Sequence, residues 1–389
     1  MRGQRRLISS SFLVFLLPLI LVSCSGGGGD TSSPQTPASQ PVPTTATLFY
    51  RAGPSVVRSD TNQNADTIGG FGSDVSRILV VGQRLILEYT PHFITMESVD
   101  FTGSDRRFVS DDQSRAQGDV QGRLVYTVAL YDDRRDDDGD FYSVLPDGND
   151  RRRLTTLPRD PNGNPQRWGM TGSMGSLIIF GLDSPFQDLL AVPVMGGPVV
   201  TLANGPEYEW FGAVAGNRIV YHSCAVDAAG KAGQCDLASV LSDGTGRITL
   251  STHPRNERVQ GAIGGRVLVR RNSGGTTDEL YSLAPDGAGG ETSVTQLRNA
   301  DEFVVGTTAN WILLQRGTRL WTMQADGSNL RRLTDSQVPE SFAGVVGDWI
   351  VTYRKPNGQY DLWAVPVVGD GPPVVIAQTD VNEIFIDGL

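Results

Sequence analysis

One short pattern recurs along the chain and decides what it can fold into. A strand of alternating apolar residues runs into a tight turn and out into a second strand. The clearest copy is LWTMQADGSNLRRLT, from Leu320 to Thr334. Others read FYSVLPDGNDRRRLT from Phe141, LASVLSDGTGRITL from Leu237 and LYSLAPDGAGGETSVTQL from Leu280. A fainter one, SVDFTGSDRRFVS, starts at Ser98. Two more, from Leu189 and Leu362, keep the strands but lose the Asp-Gly turn. Seven copies at a period of about 40 to 50 residues are the mark of a repeat architecture.

Each unit extends upstream. Before the template lies a turn followed by an apolar strand, as in GRLVYTVAL at Gly122, GNRIVYHS at Gly216 and GDWIVTYR at Gly347. Before that strand sits a further short apolar run, such as VQGAI at Val259 or FAGVV at Phe342. The unit is therefore four short strands. Its last two are joined by Asp-Gly or Gly-Gly, where Gly takes positive φ at low steric cost. Period-two alternation suits half-buried strands, and no segment after residue 45 keeps a helical period. A lone four-stranded sheet leaves a face uncovered, so the units must pack on one another. Radial packing of such sheets makes an all-β propeller.

Full units begin near Ser76, Gly118, Gly169, Phe211, Val259, Phe303 and Phe342, which makes seven. Two pieces are left over. NEIFIDGL from Asn382 reads as a lone first strand, while TLFYR at Thr47, SVVRSD at Ser55 and ADTIGG at Ala65 read as second, third and fourth strands. Together they complete an eighth blade, closing the ring with strands from both termini and removing its open sheet edges. Seven blades is the alternative if the N-terminal piece is decoration.

The run LWTMQADGSNLRRLT and its PDG relatives resemble the repeat of TolB-type propellers, which also occurs in the propellers of prolyl-oligopeptidase-like peptidases. The resemblance covers most of residues 74 to 380. It implies the fold and says little of function, because one scaffold carries many roles. TolB has an α/β domain ahead of its propeller for which this chain has no room, so its translocation role is not carried over.

The N-terminus points to export. Arg2, Arg5 and Arg6 precede an apolar run from Phe12 to Val22, short for a membrane span. The run ends Leu21-Val22-Ser23-Cys24, which resembles a bacterial lipobox. The expected organisation is a lipoprotein signal peptide at 1–23, a disordered tether at 24–45 and a propeller at 46–389. Acylated Cys24 would anchor the chain to the lipid bilayer by a diacyl group and an N-acyl chain such as palmitate. The alternative is an ordinary signal peptide with an incidental Cys. Residues 25 to 45 are mostly Gly, Ser, Pro and Thr, a mixture that cannot bury a core. By resemblance to sorting signals, Ser25 after Cys24 favours the outer membrane of a Gram-negative cell.

Removing the signal peptide takes away three Arg and no acid, leaving 30 basic residues against 43 acidic ones. That sign argues against nucleic acid as a partner. Apart from two Lys, every basic side chain is Arg. With Cys24 acylated, Cys224 and Cys235 remain, at the end of one strand and the start of the next. In an antiparallel hairpin these positions face each other, and an oxidising periplasm lets a disulfide persist. Two separate thiols are the alternative.

Two acidic runs resemble calcium loops without completing them. In ALYDDRRDDDGDFY, Asp136, Asp138 and Asp140 alternate, but Arg134 interrupts the series and no bidentate Glu follows. In SDTNQNAD, Asp60, Asn62, Asn64 and Asp66 fall on a turn where polar residues are expected anyway. A solvated hairpin is the reading for both, with calcium as the alternative and no other cofactor expected.

Catalytic signals are sparse. His92, His222 and His253 fall in different blades, each read as a loop or strand-end residue. Some TolB-like propellers are pectate-fragment lyases that gather several His around a metal, and three scattered His match that poorly. Neither a Gly-x-Ser-x-Gly elbow nor a phosphate-binding Gly-x-x-x-x-Gly-Lys is present. Of six Trp, Trp311 and Trp349 match in second strands, and Trp321 and Trp363 match in third strands, which implies packing between blades. Trp168 and Trp210 precede first strands near one rim and are the candidates for contact with a partner. The expectation is a monomeric, membrane-anchored envelope lipoprotein whose propeller binds a protein or glycan without catalysis. A carbohydrate-active lyase or hydrolase acting in the propeller funnel is the alternative.

Overall fold

A computed structural model describes residues 45–72, 74–89, 95–110, 114–128, 139–156, 168–182, 188–226, 232–272, 276–298, 302–334, 338–356, 358–368 and 371–389. These residues form thirty-two strands in eight four-stranded antiparallel sheets, and no helix. Each sheet is one blade. Blade 1 holds the leftover pieces, in the order Ala65–Gly70, Ser55–Asp60, Thr47–Ala52, Glu383–Gly388. Leu48 pairs with Gly388, Tyr50 with Phe385 and Ala52 with Glu383, so the C-terminal strand is the first strand of a blade begun at the other end of the chain. Blades 2 to 8 span 75–110, 114–153, 168–203, 208–251, 257–298, 302–332 and 340–377, each in simple sequence order.

The core lies between blades, as the packing of one-faced sheets requires. Leu48 and Tyr50 of blade 1 pack with Trp349, Val351 and Leu362 of blade 8. On the other side of the same blade, Phe49, Val56 and Ile68 pack with Leu85, Leu87 and Val99 of blade 2. The two third-strand tryptophans share a setting. The Arg316 guanidinium lies 5.3 Å from the Trp321 ring centre in blade 7, and Arg354 lies 3.9 Å from that of Trp363 in blade 8.

First strands are innermost, since those of neighbouring blades contact one another. Each opens with a β-bulge, and several carry a glycine there that receives a bulky side chain from the next blade. A Cβ at Gly172 would lie 2.5 Å from the tip of Phe211, and one at Gly344 would lie 2.4 Å from the ring of Phe385. The Asp-Gly turns serve a second close approach. Gly327 has φ 82°, and a Cβ there would lie 2.1 Å from the carbonyl oxygen of Val294 in the preceding blade. Asp326 Oδ1 meanwhile accepts the Ser328 N–H.

The Arg-rich composition has a structural use. Arg84, Arg123, Arg218 and Arg266 open the second strands of four blades, and each donates through Nε to a third-strand serine hydroxyl: Ser98, Ser143, Ser239 and Ser282. The remaining guanidinium donors reach the following turn, as Arg84 does to Asp105 and Arg123 to Asp150. A planar fork can tie three strands at once, and a lysine cannot.

The first strands of blades 2 to 8 start one to four residues before the points expected from the apolar runs. Trp168 and Trp210 therefore do not precede first strands. Trp168 is the first residue of Trp168–Met174 and Trp210 the third of Tyr208–Ala215. The bulges after Met170 and Phe211 break the apolar alternation, yet pairing continues beyond them.

Candidate functional site

Antiparallel pairing fixes what meets on each face of the ring. The starts of first and third strands and the ends of second and fourth strands share one rim. On that rim, five successive innermost strands carry a glutamate at equivalent positions: Glu209, Glu257, Glu302, Glu340 and Glu383. In blades 6, 7 and 8 the cross-strand neighbour is an arginine, pairing Glu257 with Arg271, Glu302 with Arg316 and Glu340 with Arg354. The pairs lie at 2.7, 3.6 and 2.5 Å. Truncating one member of such a buried pair strands the other charge.

Blades 5 and 1 break the pattern. Glu383 faces Ala52 and is held by Thr379, while burial raises its pKa. Glu209 faces Ser223, is fully buried, and neither of its carboxylate oxygens has a hydrogen-bond partner among the described residues. Burial, with the charges of Asp188 and Glu207 added, pushes its pKa up to about 7 despite the opposing pull of Arg247.

Next to Glu209 the rim opens into two adjoining cavities, one between blades 5 and 6 and one walled by blade 6. The larger, about 500 Å³, is lined by Trp210, Phe211, His222, Glu257, Arg258 and Gln260 among others. The second, about 390 Å³, is lined by Asn256, Arg258, Gln260, Arg270, Asn272 and Asp278. Asn256, Arg258 and Gln260 belong to both. Both volumes lie within the range of small-molecule sites, roughly 300–1,000 Å³. The Trp210 ring lies 5.4 Å from that of His222. His222 sits mid-strand in Arg218–Val226 and is buried, unlike the loop or strand-end position expected for it. Burial first, and the Arg258 charge second, push its pKa down to about 4, so the ring is neutral near neutral pH.

The other candidates lie apart. Cys24, Asp136, Asp138 and His92 are outside the described residues. Asp140 is fully buried, with Arg153 and the Thr155 hydroxyl donating to it. Asp60 accepts the N–H groups of Asn62 and Asn64, both at 2.9 Å, and closes its own turn. Among the described residues, no three His, Cys, Asp or Glu side chains converge as metal ligands would. His253 follows the last strand of blade 5 and accepts the Arg255 N–H. Cys224 and Cys235 face each other across the hairpin, joined by an S–S bond of 2.03 Å, and Cys235 borders the larger cavity. The side chain of Trp168 is not among those described.

The groove residues Asn256, Glu257, Arg258 and Gln260 escape a reading based on apolar runs. A signal for them exists all the same: Glu stands a fixed distance before each inner bulge in EWFGAV, ERVQGAI, EFVVGT, ESFAGVV and EIFIDG.

No protein-family profile and no curated protein matches the chain. Solved structures do. Puromycin hydrolase is 13% identical with a TM-score of 0.51, over 81% of this chain and 55% of that one. A protein assigned as TolB from Agrobacterium tumefaciens is 12% identical with a TM-score of 0.34, over 76% and 90%. The β-propeller domain of the Trilobed protease from Pyrococcus furiosus is 11% identical with a TM-score of 0.47, over 79% and 98%. At these identities the likeness concerns the fold alone. The chain spans about half the length of the puromycin hydrolase.

Proposed function

We propose that this protein is a cell-envelope lipoprotein whose propeller is a binding module. It is held to the bilayer through acylated Cys24 and the tether that follows, and it takes a protein or envelope glycan at the rim between blades 5 and 6. The observation that carries this reading is the pair of cavities sharing Arg258, whose guanidinium makes no hydrogen bond or ion pair among the described residues. Concave surfaces with converging polar groups are where ligands bind. The test is capture of partners by the full chain from gently solubilised envelopes, with Arg258→Ala in parallel. The reading expects a saturable partner for the parent and a clear loss for the variant. Equal capture by both would overturn it.

A lyase or hydrolase acting on carbohydrate is the second reading, favoured by Glu209. A carboxyl titrating at about 7 is suited to general acid–base work. Turnover of a soluble glycan by the parent, abolished in Glu209→Gln with binding intact, would select it.

A further inference from the structure

Buried polar atoms in folded proteins are nearly always paired, so those left over at a cavity wall describe what is missing from it. Three such atoms lie buried in residues that line the two cavities. His222 is 5% exposed, and its Nε2 accepts the Val259 N–H at 3.4 Å. The neutral ring must then carry its proton on Nδ1, a buried donor with no partner among the described residues. Glu257 is 2% exposed; Arg271 and the Tyr281 hydroxyl donate to its Oε1, while Oε2 has no partner among the described residues. In the second cavity Arg270 Nε donates to Asp278 Oδ2 at 2.6 Å, and Asp278 Oδ1 has no partner among the described residues.

The chemistry of this set is selective. Glu257 and Asp278 are already paired with Arg271 and Arg270, so Arg258 is the one unbalanced charge of the set. A metal ion is opposed by the His222 N–H and by Arg258, and among the described residues no three His, Cys, Asp or Glu side chains converge to hold one. The set asks for groups that donate and accept at short spacing, together with an apolar face for the indole of Trp210. A hydroxyl does both, and vicinal hydroxyls on a pyranose ring repeat the pattern at the needed density. A peptide offers single donors and acceptors at a wider, fixed spacing. Two cavities sharing Asn256, Arg258 and Gln260 call for two linked units.

We propose that the groove along the rim of blades 5 and 6 is an oligosaccharide-binding site with two adjacent sugar subsites. In the larger, Trp210 is the stacking platform and His222 and Glu257 bond ring hydroxyls; in the smaller, Asp278 and Arg270 do so. Arg258 spans the junction. This deepens the reading of the rim as a binding site and rests on it.

The test uses the detergent-solubilised full chain and oligosaccharides of one to six units from neutral hexose, N-acetylhexosamine and uronic acid series, followed by tryptophan fluorescence and calorimetry. In at least one series, affinity should rise at least tenfold from one unit to two and then level off. Arg258→Ala, an exposed position whose loss leaves no charge stranded, should weaken binding by about tenfold, as expected for one charged hydrogen bond. Trp210→Ala should weaken it at least as much, with circular dichroism and Tm confirming the fold. Failure of every series to bind at millimolar concentration would overturn the proposal. So would equal affinity for one and three units, or binding indifferent to both substitutions. If no sugar binds while envelope capture still depends on Arg258, the groove stands as a binding site with a polypeptide occupant and only this proposal falls. If neither depends on Arg258, both fall.

Discussion

Gly344 tests how the ring closes. It lies in the first strand of blade 8, against Phe385 from the C-terminal strand that completes blade 1. A Cβ there would lie 2.4 Å from one carbon of the Phe385 ring and 3.1 and 3.3 Å from two others. Carbon atoms settle at about 3.5–4.0 Å, so the ring must retreat by roughly 1 Å into neighbours that are already packed. Overpacking on this scale costs about 1–3 kcal/mol. For a chain of this size that is a fall of roughly 1–4 °C in Tm. The assay is urea unfolding of parent, Gly344→Ala, Phe385→Leu and the double variant. Leucine leaves room for the new methyl, so the double variant should lose less than the sum of the singles by about 1 kcal/mol or more. A Gly344→Ala protein as stable as the parent, or one whose loss is unchanged in the Phe385→Leu background, would refute the packing of the C-terminal strand against blade 8.

Three further outcomes follow from the same structure. The Cys224–Cys235 disulfide closes a short loop, so Cys224→Ser with Cys235→Ser should cost about 3 kcal/mol on the chain-entropy model, read as a lower Tm without reductant. The pKa of Glu209 is raised from 4.5 to about 7 in the folded chain, so between those values the folded state binds more protons than the unfolded one. Its contribution to stability is therefore present below about pH 4.5 and lost as pH rises toward 7, and Glu209→Gln should flatten that slope in urea melts at pH 5 and 7.5. Deleting residues 382–389 removes the inner strand of blade 1 and leaves Thr47–Ala52 as an open edge, so sedimentation should show self-association where the parent shows none.

What could be read from the sequence was the part that local chemistry dictates. The Asp-Gly turns were visible because Gly148, Gly244 and Gly327 must take φ of 86°, 80° and 82°. Their contact with the preceding blade was not, since nothing in LPDGN or QADGS says which carbonyl will approach. The composite blade was legible from its leftover strands: three at one end of the chain, one at the other. The groove was hidden for a physical reason. Inner strands begin with polar or aromatic residues before the bulge, so the search for apolar alternation starts after Glu209, Glu257 and Glu340 and treats them as linker. A histidine held mid-strand, as His222 is, needs a buried partner. That partner, the Val259 N–H, belongs to the next blade. The abundance of Arg had no sequence-level account, and the forked clamps at Arg84, Arg123, Arg218 and Arg266 supply one.

The most direct measurement of the central claim, that ligand is held at the rim between blades 5 and 6, is hydrogen–deuterium exchange of the full chain with and without captured partner or bound sugar. The account predicts protection in Trp210–Val214 and Asn256–Gln260, with little change at the opposite rim around the Asp147-Gly148 and Asp326-Gly327 turns. Protection confined to those turns, with the 210–214 and 256–260 segments unchanged, would contradict it.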